Sequence, residues 1–536
     1  MPDLPGLRQR PLIRPRATIH ATHTTGDTAH GRERPTIPHP CRCGGPPREV
    51  PTITAEHSTS AGRRAALDRA ARLRRLSDAD RDIIRLANDP TFLRLMDRLT
   101  AIGGCSHPIH LSGSTTVLDP SNGEILHRFD TSGEPGERLS LRCGNRRASV
   151  CPSCSRLHAG DTYHLVRAGL LGGRNVPFDV RDRPRLFVTL TAPGFGAVHR
   201  AGNGARCRPR SRVPDCGHGR PVGCPLVHEP TDPLVGQPLC PGCYDYPGHV
   251  LWHALAGRLW KAFTDNLHHH LAARTGRTRT GFRRSVRISY AKVAEYQRRA
   301  AVHVHAVVRL DGPEGPGDPP PGWVSGDLLA DAVRTAAGAV SLASPDSPAL
   351  GERRLRWGAQ LDVRPLTADR GPDGLTEEGV AAYVAKYVTK GAAESGAGLD
   401  RRLTDAGEIA TARVTPHVRA LMACCWRLGG LPELRHLRLR EWAHSLGFRG
   451  RLLTTSRRYS TTYGALREER AEHERERNGP DLPDGIEPVT ESSWRYVGSG
   501  HSPGAALLAA GIAEDLARNR EAARDASTHG GGAGGG

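Results

Sequence analysis

Two histidines on one predicted β-strand are the residues of this sequence best suited to catalytic chemistry. His303 and His305 lie within Ala301–Gly312, where interspersed Val, Ala and Leu residues predict a central, buried strand. Alternate side chains of a strand project from the same face, so both imidazoles would point the same way. Glu295 ends the preceding predicted strand, and a hairpin turn near 298–300 would bring its carboxylate alongside them. Two nitrogens and one oxygen suit Mg²⁺ or Mn²⁺ as a Lewis acid, while two hydrogen-bonded core histidines are the simpler alternative.

Two tyrosines on a predicted helix form a second candidate group. Tyr383 and Tyr387 are four residues apart and would share one helix face, with Lys386 flanking that face and Lys390 following it. A tyrosyl oxygen has an ordinary pKa of about 10, so it needs a nearby cation and a polarised phosphate before it can attack. With the histidine strand, this pair would be suited to cutting and rejoining DNA through a phosphotyrosine. The simpler alternative is that both rings only pack in a core.

A first group of cysteines has the spacing of zinc ligands. Cys143, Cys151 and Cys154 include a Cys-x-x-Cys pair, which is typical of structural zinc sites. The candidates for a fourth ligand are Cys105, His107 and His158. Cys105 is favoured because thiolates prefer zinc.

A second group of cysteines and histidines lies in residues 200–247, a loop-like segment rich in Gly and Pro. Its seven candidate ligands are Cys207, Cys216, His218, Cys224, His228, Cys240 and Cys243. One zinc with spare ligands and two zincs both fit this number. The favoured ligands are the cysteines Cys216, Cys224, Cys240 and Cys243.

Composition limits the class of protein. The chain has 536 residues, a formal net charge of +19 and an isoelectric point near 9.9, which favours a polyanionic partner such as nucleic acid. It shows neither an apolar run of about 18 residues nor a secretory signal, so we expect a cytoplasmic protein without membrane contact. The thirteen cysteines then indicate metal-binding or structural thiols rather than disulfides.

The elements that would position these residues alternate between strands and helices. Strands are predicted at 185–192, 284–297, 301–311 and 354–365. Helices are predicted within 62–101, at 156–172, around Trp252–Phe263, and at 325–342, 376–390, 408–427 and 432–447. Antiparallel strands carrying helices predict an α+β fold of the split βαβ kind.

Three motifs occur in an order that carries a family resemblance. They are Phe187-Val-Thr-Leu-Thr-Ala192, His303-Val-His305 and Tyr383-Val-Ala-Lys-Tyr387. The chain resembles the rolling-circle replication initiators of the HUH endonuclease superfamily, and in particular the two-tyrosine initiators of actinomycete plasmids and integrative conjugative elements. The wider resemblance spans roughly residues 100–465 and includes Cys143–Cys154, Lys292–Gln297 and Ser456–Thr461.

The resemblance implies an α+β fold whose antiparallel, RRM- or palm-like core carries zinc-binding insertions and flanking helices. It implies a plasmid replication initiator that nicks one strand at the double-strand origin, with His303, His305 and Glu295 holding Mg²⁺ or Mn²⁺. Tyr383 is favoured to attack first, keeping the 5′-phosphate and releasing a 3′-OH primer, and Tyr387 would then rejoin the displaced strand. Single-stranded and supercoiled origin DNA, a host helicase and a DNA polymerase would be its partners.

Composition, periodicity and motifs together divide the chain into five predicted regions. The predicted regions are a disordered, basic, Pro-rich tail at 1–60, a helical region with a zinc knuckle at 61–175, a nickase domain at 180–395, a helical, DNA-contacting region at 400–480 and a mostly flexible tail at 481–536. The basic residues expected to contact DNA are Arg146, Arg147, Lys390, Arg457 and Arg458. The alternatives are a conjugative relaxase or transposase of the same superfamily, and a non-catalytic, zinc-containing DNA-binding regulator.

Overall fold

The computed structural model describes residues 75–202, 204–209, 215–366, 376–389, 396, 398–479 and 486–529, together with Arg64, Asp68 and Ala71. The chain divides into two units, Met1–Ala70 and Ala71–Gly536, and every helix and strand with stated bounds belongs to the second. The predicted tail at 1–60 and Lys390 lie outside the described residues. No helix in the described ranges has the length and apolar character needed to cross a membrane.

An antiparallel sheet joins the two ends of this unit. Its strands are β1 (Ile109–Leu118), β2 (Ile125–Asp130), β3 (Leu139–Leu141) and β11 (Val489–Ser499), and β1 pairs with each of the other three. Its helices are α1 (Asp78–Ala87), α2 (Phe92–Ala101) and α11 (Pro503–His529). The region 61–175, predicted to be helical with a zinc knuckle, therefore also contains three strands, and the tail predicted to be mostly flexible at 481–536 contains β11 and α11. Strand β11 is largely exposed and lacks an apolar pattern, so only its pairing with β1 defines it.

A five-stranded antiparallel sheet forms the centre of the fold. Its strands are β4 (Arg185–Leu190), β5 (Arg287–Tyr296), β6 (Val302–Asp311), β9 (Leu361–Pro365) and β10 (Leu453–Thr455), in the order β10-β5-β6-β4-β9. The β5–β6 hairpin places Glu295 directly opposite His303. An α+β fold with antiparallel sheets is thus confirmed, and the predicted histidine strand is the middle strand of this sheet.

Helices cover both faces of the central sheet. One face packs against α4 (Tyr246–Arg274), α6 (Gly326–Gly338) and α9 (Pro416–Leu428), through side chains such as Val304, Val308 and Leu255. The other face packs against α3 (Pro152–Leu171) and α7 (Glu377–Val388). The remaining elements are α5 (Arg279–Ser285), the short pair β7 (Leu342–Ala343) and β8 (Arg354–Leu355), α8 (Gly407–Thr411) and α10 (Tyr463–Asn478).

Three predicted elements are interrupted in the structure. The strand predicted at 354–365 is broken where Gly358 passes close to the end of β4 and donates its backbone N–H to Thr191 O over 2.7 Å. The helix predicted at 408–427 is divided because Pro416 holds the preceding residue in an extended conformation. The helix predicted at 432–447 is replaced by two 3₁₀ turns, Pro432–Leu437 and Ala443–Ser445.

A buried ion-pair network anchors the far end of β6. Arg309 and Asp311 are both fully buried, and two guanidinium nitrogens of Arg309 donate to the Asp311 carboxylate over 2.8 Å each. Arg183 donates to the same carboxylate over 2.7 Å, and Arg309 also donates to the Tyr459 carbonyl over 3.0 Å. Strand β6 is therefore held at one end by charge pairing, while the histidines occupy the same face at the other end.

Removing the shared carboxylate should strongly destabilise the fold. We expect Asp311→Ala to lower the free energy of unfolding by about 3 kcal/mol, because it leaves the buried Arg309 guanidinium without its counter-charge and Arg183 with Asp179 alone. Asp362→Ala, which breaks the half-exposed pair with Arg364, should cost less than about 1 kcal/mol. Urea unfolding of the two variants measures both values, and equal effects would contradict the structural role of the buried network.

A buried histidine beside β6 makes stability depend on pH. His253 donates from Nδ1 to Leu446 O over 3.0 Å, and its Nε2 accepts the backbone N–H of Val302 over 3.1 Å. Burial lowers the pKa of His253 to about 4, and it does the same for His268 and His417. The unfolded chain therefore binds more protons than the folded chain between about pH 6.5 and 4, so stability falls as the pH falls through that window.

Each of these histidines should contribute about 1.4 kcal/mol per pH unit within this window. We expect His253→Gln to make the pH dependence of the free energy of unfolding shallower than in wild type. Urea titrations at pH 7, 6 and 5 measure the slope. A slope unaltered in His253→Gln would show that this ring does not resist protonation in the fold.

Candidate active site and metal centres

Helix α7 carries the paired tyrosines onto the histidine face of the sheet. Thr376 caps the helix by accepting the Gly379 N–H over 3.0 Å, and two glutamates in the first turn favour the positive end of the helix dipole. Val380 and Val384 are buried against the sheet. The i, i+4 spacing then brings the rings of Tyr383 and Tyr387 within 4.6 Å of each other, measured between centroids.

The tyrosine, histidine and glutamate side chains meet at one point. The Tyr383 hydroxyl lies 3.0 Å from His305 Nε2 and 3.3 Å from Glu295 Oε2, and the last two atoms are themselves 3.3 Å apart. The His303 ring centroid is 5.6 Å from that of His305. The structure therefore brings together the residues that the sequence selected from three separate segments.

Two residues of β4 that the sequence analysis left without a role orient His305. Thr189 Oγ1 lies 3.0 Å from His305 Nδ1, which directs the opposite nitrogen, Nε2, toward Tyr383. The ring of Phe187 stacks on the imidazole at 5.8 Å and 4° between planes. Both belong to the Phe-Val-Thr-Leu-Thr motif, and their alternation along β4 was the signal that could have shown that they share the histidine face.

Burial controls the protonation of the site. The pKa of His303 is lowered to about 4 because the buried ring loses hydration, so this imidazole is neutral near pH 7. Burial, followed by the nearby Glu295 carboxylate, raises the pKa of the Tyr383 and Tyr387 hydroxyls above their usual value. Both phenols are thus protonated near neutral pH unless a cation close to the hydroxyls lowers their pKa.

The donor atoms fit a divalent cation in type. Glu295, His303 and His305 offer one carboxylate oxygen and two imidazole nitrogens, and His303 Nε2 is buried without a hydrogen-bond partner. These three donors are not among the groups of described residues whose atoms all lie within 4.8 Å of one another, and the Tyr383 hydroxyl contacts two of them. Lys386 is exposed, and its ammonium lies 5.8 Å from the centre of the Tyr387 ring.

The first cysteine group gathers as expected. Cys105, Cys143, Cys151 and Cys154 place their sulfurs within 4.8 Å of one another, with Cys105 Sγ 3.8 Å from Cys151 Sγ and 3.6 Å from Cys154 Sγ. Four thiolates bound tetrahedrally to zinc would be about 3.8 Å apart. Backbone N–H groups of Ser106 and Cys143 also point at the sulfurs, at 3.4 and 3.3 Å. The arrangement suits a metal such as zinc.

The second Cys/His group separates into two clusters. Cys216, Cys240 and Cys243 gather with His218, whose Nδ1 lies 3.3 Å from Cys243 Sγ. Cys224, the remaining favoured cysteine, lies outside this cluster. It gathers instead with Cys207, His228 and His199. The sequence analysis missed His199 because it lies one residue before the segment in which ligands were sought.

Most of the basic residues expected to contact DNA have partners within the protein. Arg146 donates to the Val388 carbonyl at the end of α7 over 3.4 Å, and Arg147 pairs with Asp400. Arg458 pairs with Glu314 over 2.6 Å, whereas Arg457 is exposed. Arg146 thereby links the Cys105–Cys154 region to the end of the tyrosine helix, and Arg147 links it to Asp400. A DNA contact by any of these residues stays a prediction.

These features define a basic α+β protein with a carboxylate–imidazole–phenol site on a central antiparallel sheet and, within the described residues, three clusters of Cys and His side chains. Residues 91–514 match the family described as RepSA, replication initiator protein, pSAM2. The chain is also 47% identical to a replication initiator protein of Streptomyces ambofaciens over 457 residues, which are 83% of this chain and 95% of that relative. No solved structure matches it. The chain belongs to the RepSA family of replication initiator proteins.

Proposed function

We propose that this replication initiator nicks one strand of plasmid origin DNA through a tyrosine and starts rolling-circle replication from the 3′-OH that it releases. The observation that carries the proposal is the contact of the Tyr383 hydroxyl with both His305 and Glu295. Such a hydroxyl is positioned both to lose its proton and to meet a phosphate held at the same residues.

The proposed reaction exchanges one ester for another. The Tyr383 oxygen attacks the scissile phosphorus, the P–O3′ bond breaks, the 5′-phosphate stays on the tyrosine and O3′ takes up a proton. Tyr387, whose ring lies beside that of Tyr383, attacks in the later rejoining step. Because phosphodiester energy is conserved in the phosphotyrosine, the reaction consumes no ATP.

Glu295, His303 and His305 would hold the divalent cation, Mg²⁺ or Mn²⁺, which when bound supplies positive charge that polarises the phosphate. Thr189 keeps the His305 ring in its orientation. Lys386, exposed beside Tyr387, pairs with a phosphate oxygen of the incoming strand. The histidine strand at the centre of an antiparallel sheet supports an HUH-type core.

Two of the Cys/His clusters act in this proposal as structural zinc sites, one at Cys105–Cys154 and one at Cys216, His218, Cys240 and Cys243. The first lies in the region that contacts the end of the tyrosine helix. The DNA partner is the origin, as a supercoiled duplex and as the displaced single strand. Host helicase and polymerase extend the primer in the cytoplasm.

Covalent capture tests the proposal. The purified protein is mixed with a 5′-labelled or 3′-labelled single strand of its origin and Mn²⁺, then separated on a denaturing gel. We expect a slowly migrating protein–DNA adduct only when the label lies on the 3′ side of the nick. No adduct should form in the presence of EDTA. Binding of the strand without any adduct would instead support the non-catalytic regulator.

A further inference from the structure

The Cys/His cluster that includes His199 lies outside the sites assigned so far. We propose that His199, Cys207, Cys224 and His228 form a separate zinc site, and that this zinc holds the surrounding loop against the turn between β5 and β6. That turn joins Glu295 to His303. Only the importance of this turn for nicking rests on the proposed function. The metal site and its contact with the turn are independent of that function.

The distances within this cluster match a tetrahedral metal site. His199 Nδ1 lies 3.1 Å from His228 Nε2 and 3.8 Å from Cys207 Sγ, and Cys224 Sγ lies 3.4 Å from His228 Nε2. Nitrogen and sulfur ligands bound at zinc distances would be about 3.3 to 3.8 Å apart. Two thiolates and two imidazoles are soft to intermediate donors, which favour zinc over magnesium or calcium.

A carboxylate outside the cluster fixes one of its imidazoles. His228 Nδ1 lies 2.7 Å from Asp232 Oδ2, so the ring donates there from Nδ1 and its Nε2 faces the other three donors. The backbone N–H of Arg200 donates to Cys207 Sγ over 3.2 Å, an interaction that favours the thiolate. A carboxylate on the far nitrogen of a histidine is the usual support of a zinc ligand.

The loop at 200–243 has few buried hydrophobic side chains that could hold it in one conformation. In the described part of 200–243, the buried hydrophobic side chains are three cysteines, Cys207, Cys224 and Cys240. Leu226, Val227 and Leu234 are about half exposed. A segment without an apolar core gains its order from cross-links, and metal binding energy is then folding energy.

The same loop contacts the β5–β6 hairpin at its turn. Gly236 has a φ of +90° and lies so close to this turn that a Cβ would be 2.2 Å from the Arg298 carbonyl oxygen. The Arg298 side chain donates to the Pro230 carbonyl over 2.5 Å. The backbone of His199 pairs with residues 236 and 237, so a metal ligand and the contact surface belong to one hydrogen-bonded unit.

Metal counting by mass spectrometry of the full-length protein, purified without chelators, tests the site. We expect three zinc ions per chain in wild type and one fewer in His199→Ala. His218→Ala is the matched control, because it should also lose one zinc but from the neighbouring cluster. His199→Cys should keep all three. A zinc count that does not change in His199→Ala would overturn the proposed site.

Hydrogen exchange of the same variants tests the role of the metal. Peptides spanning residues 296–302 should exchange at least about tenfold faster in His199→Ala and at the wild-type rate in His218→Ala. Loss of zinc without faster exchange at the turn would overturn the positioning role. Asp232→Asn, which keeps all four ligands, should weaken zinc binding about 10- to 100-fold in competition with a chelator, and unchanged affinity would count against the site.

Discussion

Replacing Tyr383 and Tyr387 together with phenylalanine will abolish the covalent adduct between protein and origin DNA, a loss of at least about 10³-fold in nicking rate. Phenylalanine keeps the packing of both rings against the sheet and removes the two hydroxyls that are proposed to attack. Far-ultraviolet circular dichroism and origin binding should therefore be close to those of wild type. The rate is measured as the initial rate of adduct formation with labelled origin strand and Mn²⁺.

The single variants separate the roles of the two tyrosines. Tyr383→Phe should lose most of the first cleavage, because the Tyr383 hydroxyl contacts both His305 and Glu295. Tyr387→Phe should still form the adduct but fail to release a rejoined circle. Tyr163→Phe, which alters a ring packed against the same hydrophobic cluster, is the control and should behave as wild type. If the two single variants showed the opposite phenotypes, Tyr387 would be the tyrosine that attacks first and Tyr383 the one that attacks second.

The parts of the site that the sequence predicted are those fixed by local periodicity. The i, i+2 histidines of β6 and the i, i+4 tyrosines of α7 each share a face by the geometry of one element. The short hairpin then fixed the position of Glu295, since a tight turn leaves few registers for antiparallel neighbours. Strand and helix bounds in this part of the chain accordingly differ from the predicted ones by a few residues.

Long-range pairing accounts for what the sequence could not predict. Strand β11 is polar and exposed, and it forms because β1 offers an edge more than 350 residues earlier in the chain. Thr189 is one of several threonines with no intrinsic mark of function, and its role depends on the register between β4 and β6. Likewise, ligand spacing alone could not divide the cysteines of 200–247 between two clusters. His199 lies outside that segment, and only the folded structure brings it next to Cys207, Cys224 and His228.

Replacing His303 with leucine should separate activity from stability. His303 Nε2 is buried without a hydrogen-bond partner, so an apolar side chain of similar size removes an unsatisfied polar atom and should keep or raise the free energy of unfolding, by up to about 1 kcal/mol. If the ring is a metal ligand, the same change should lower the nicking rate by about 10³-fold and move the Mn²⁺ requirement to higher concentration.

His268→Leu is the control for this variant, because His268 Nδ1 is also buried without a partner, on a helix away from the tyrosines. It should match His303→Leu in urea unfolding and match wild type in nicking. Glu295→Gln adds a second test, since it keeps a polar group beside Tyr383 but removes the negative charge that attracts a cation. A nicking rate of His303→Leu within about twofold of wild type would show that this imidazole does not bind the catalytic metal. A loss of nicking in His303→Leu and Glu295→Gln, but not in His268→Leu, would assign the metal to this face of the sheet.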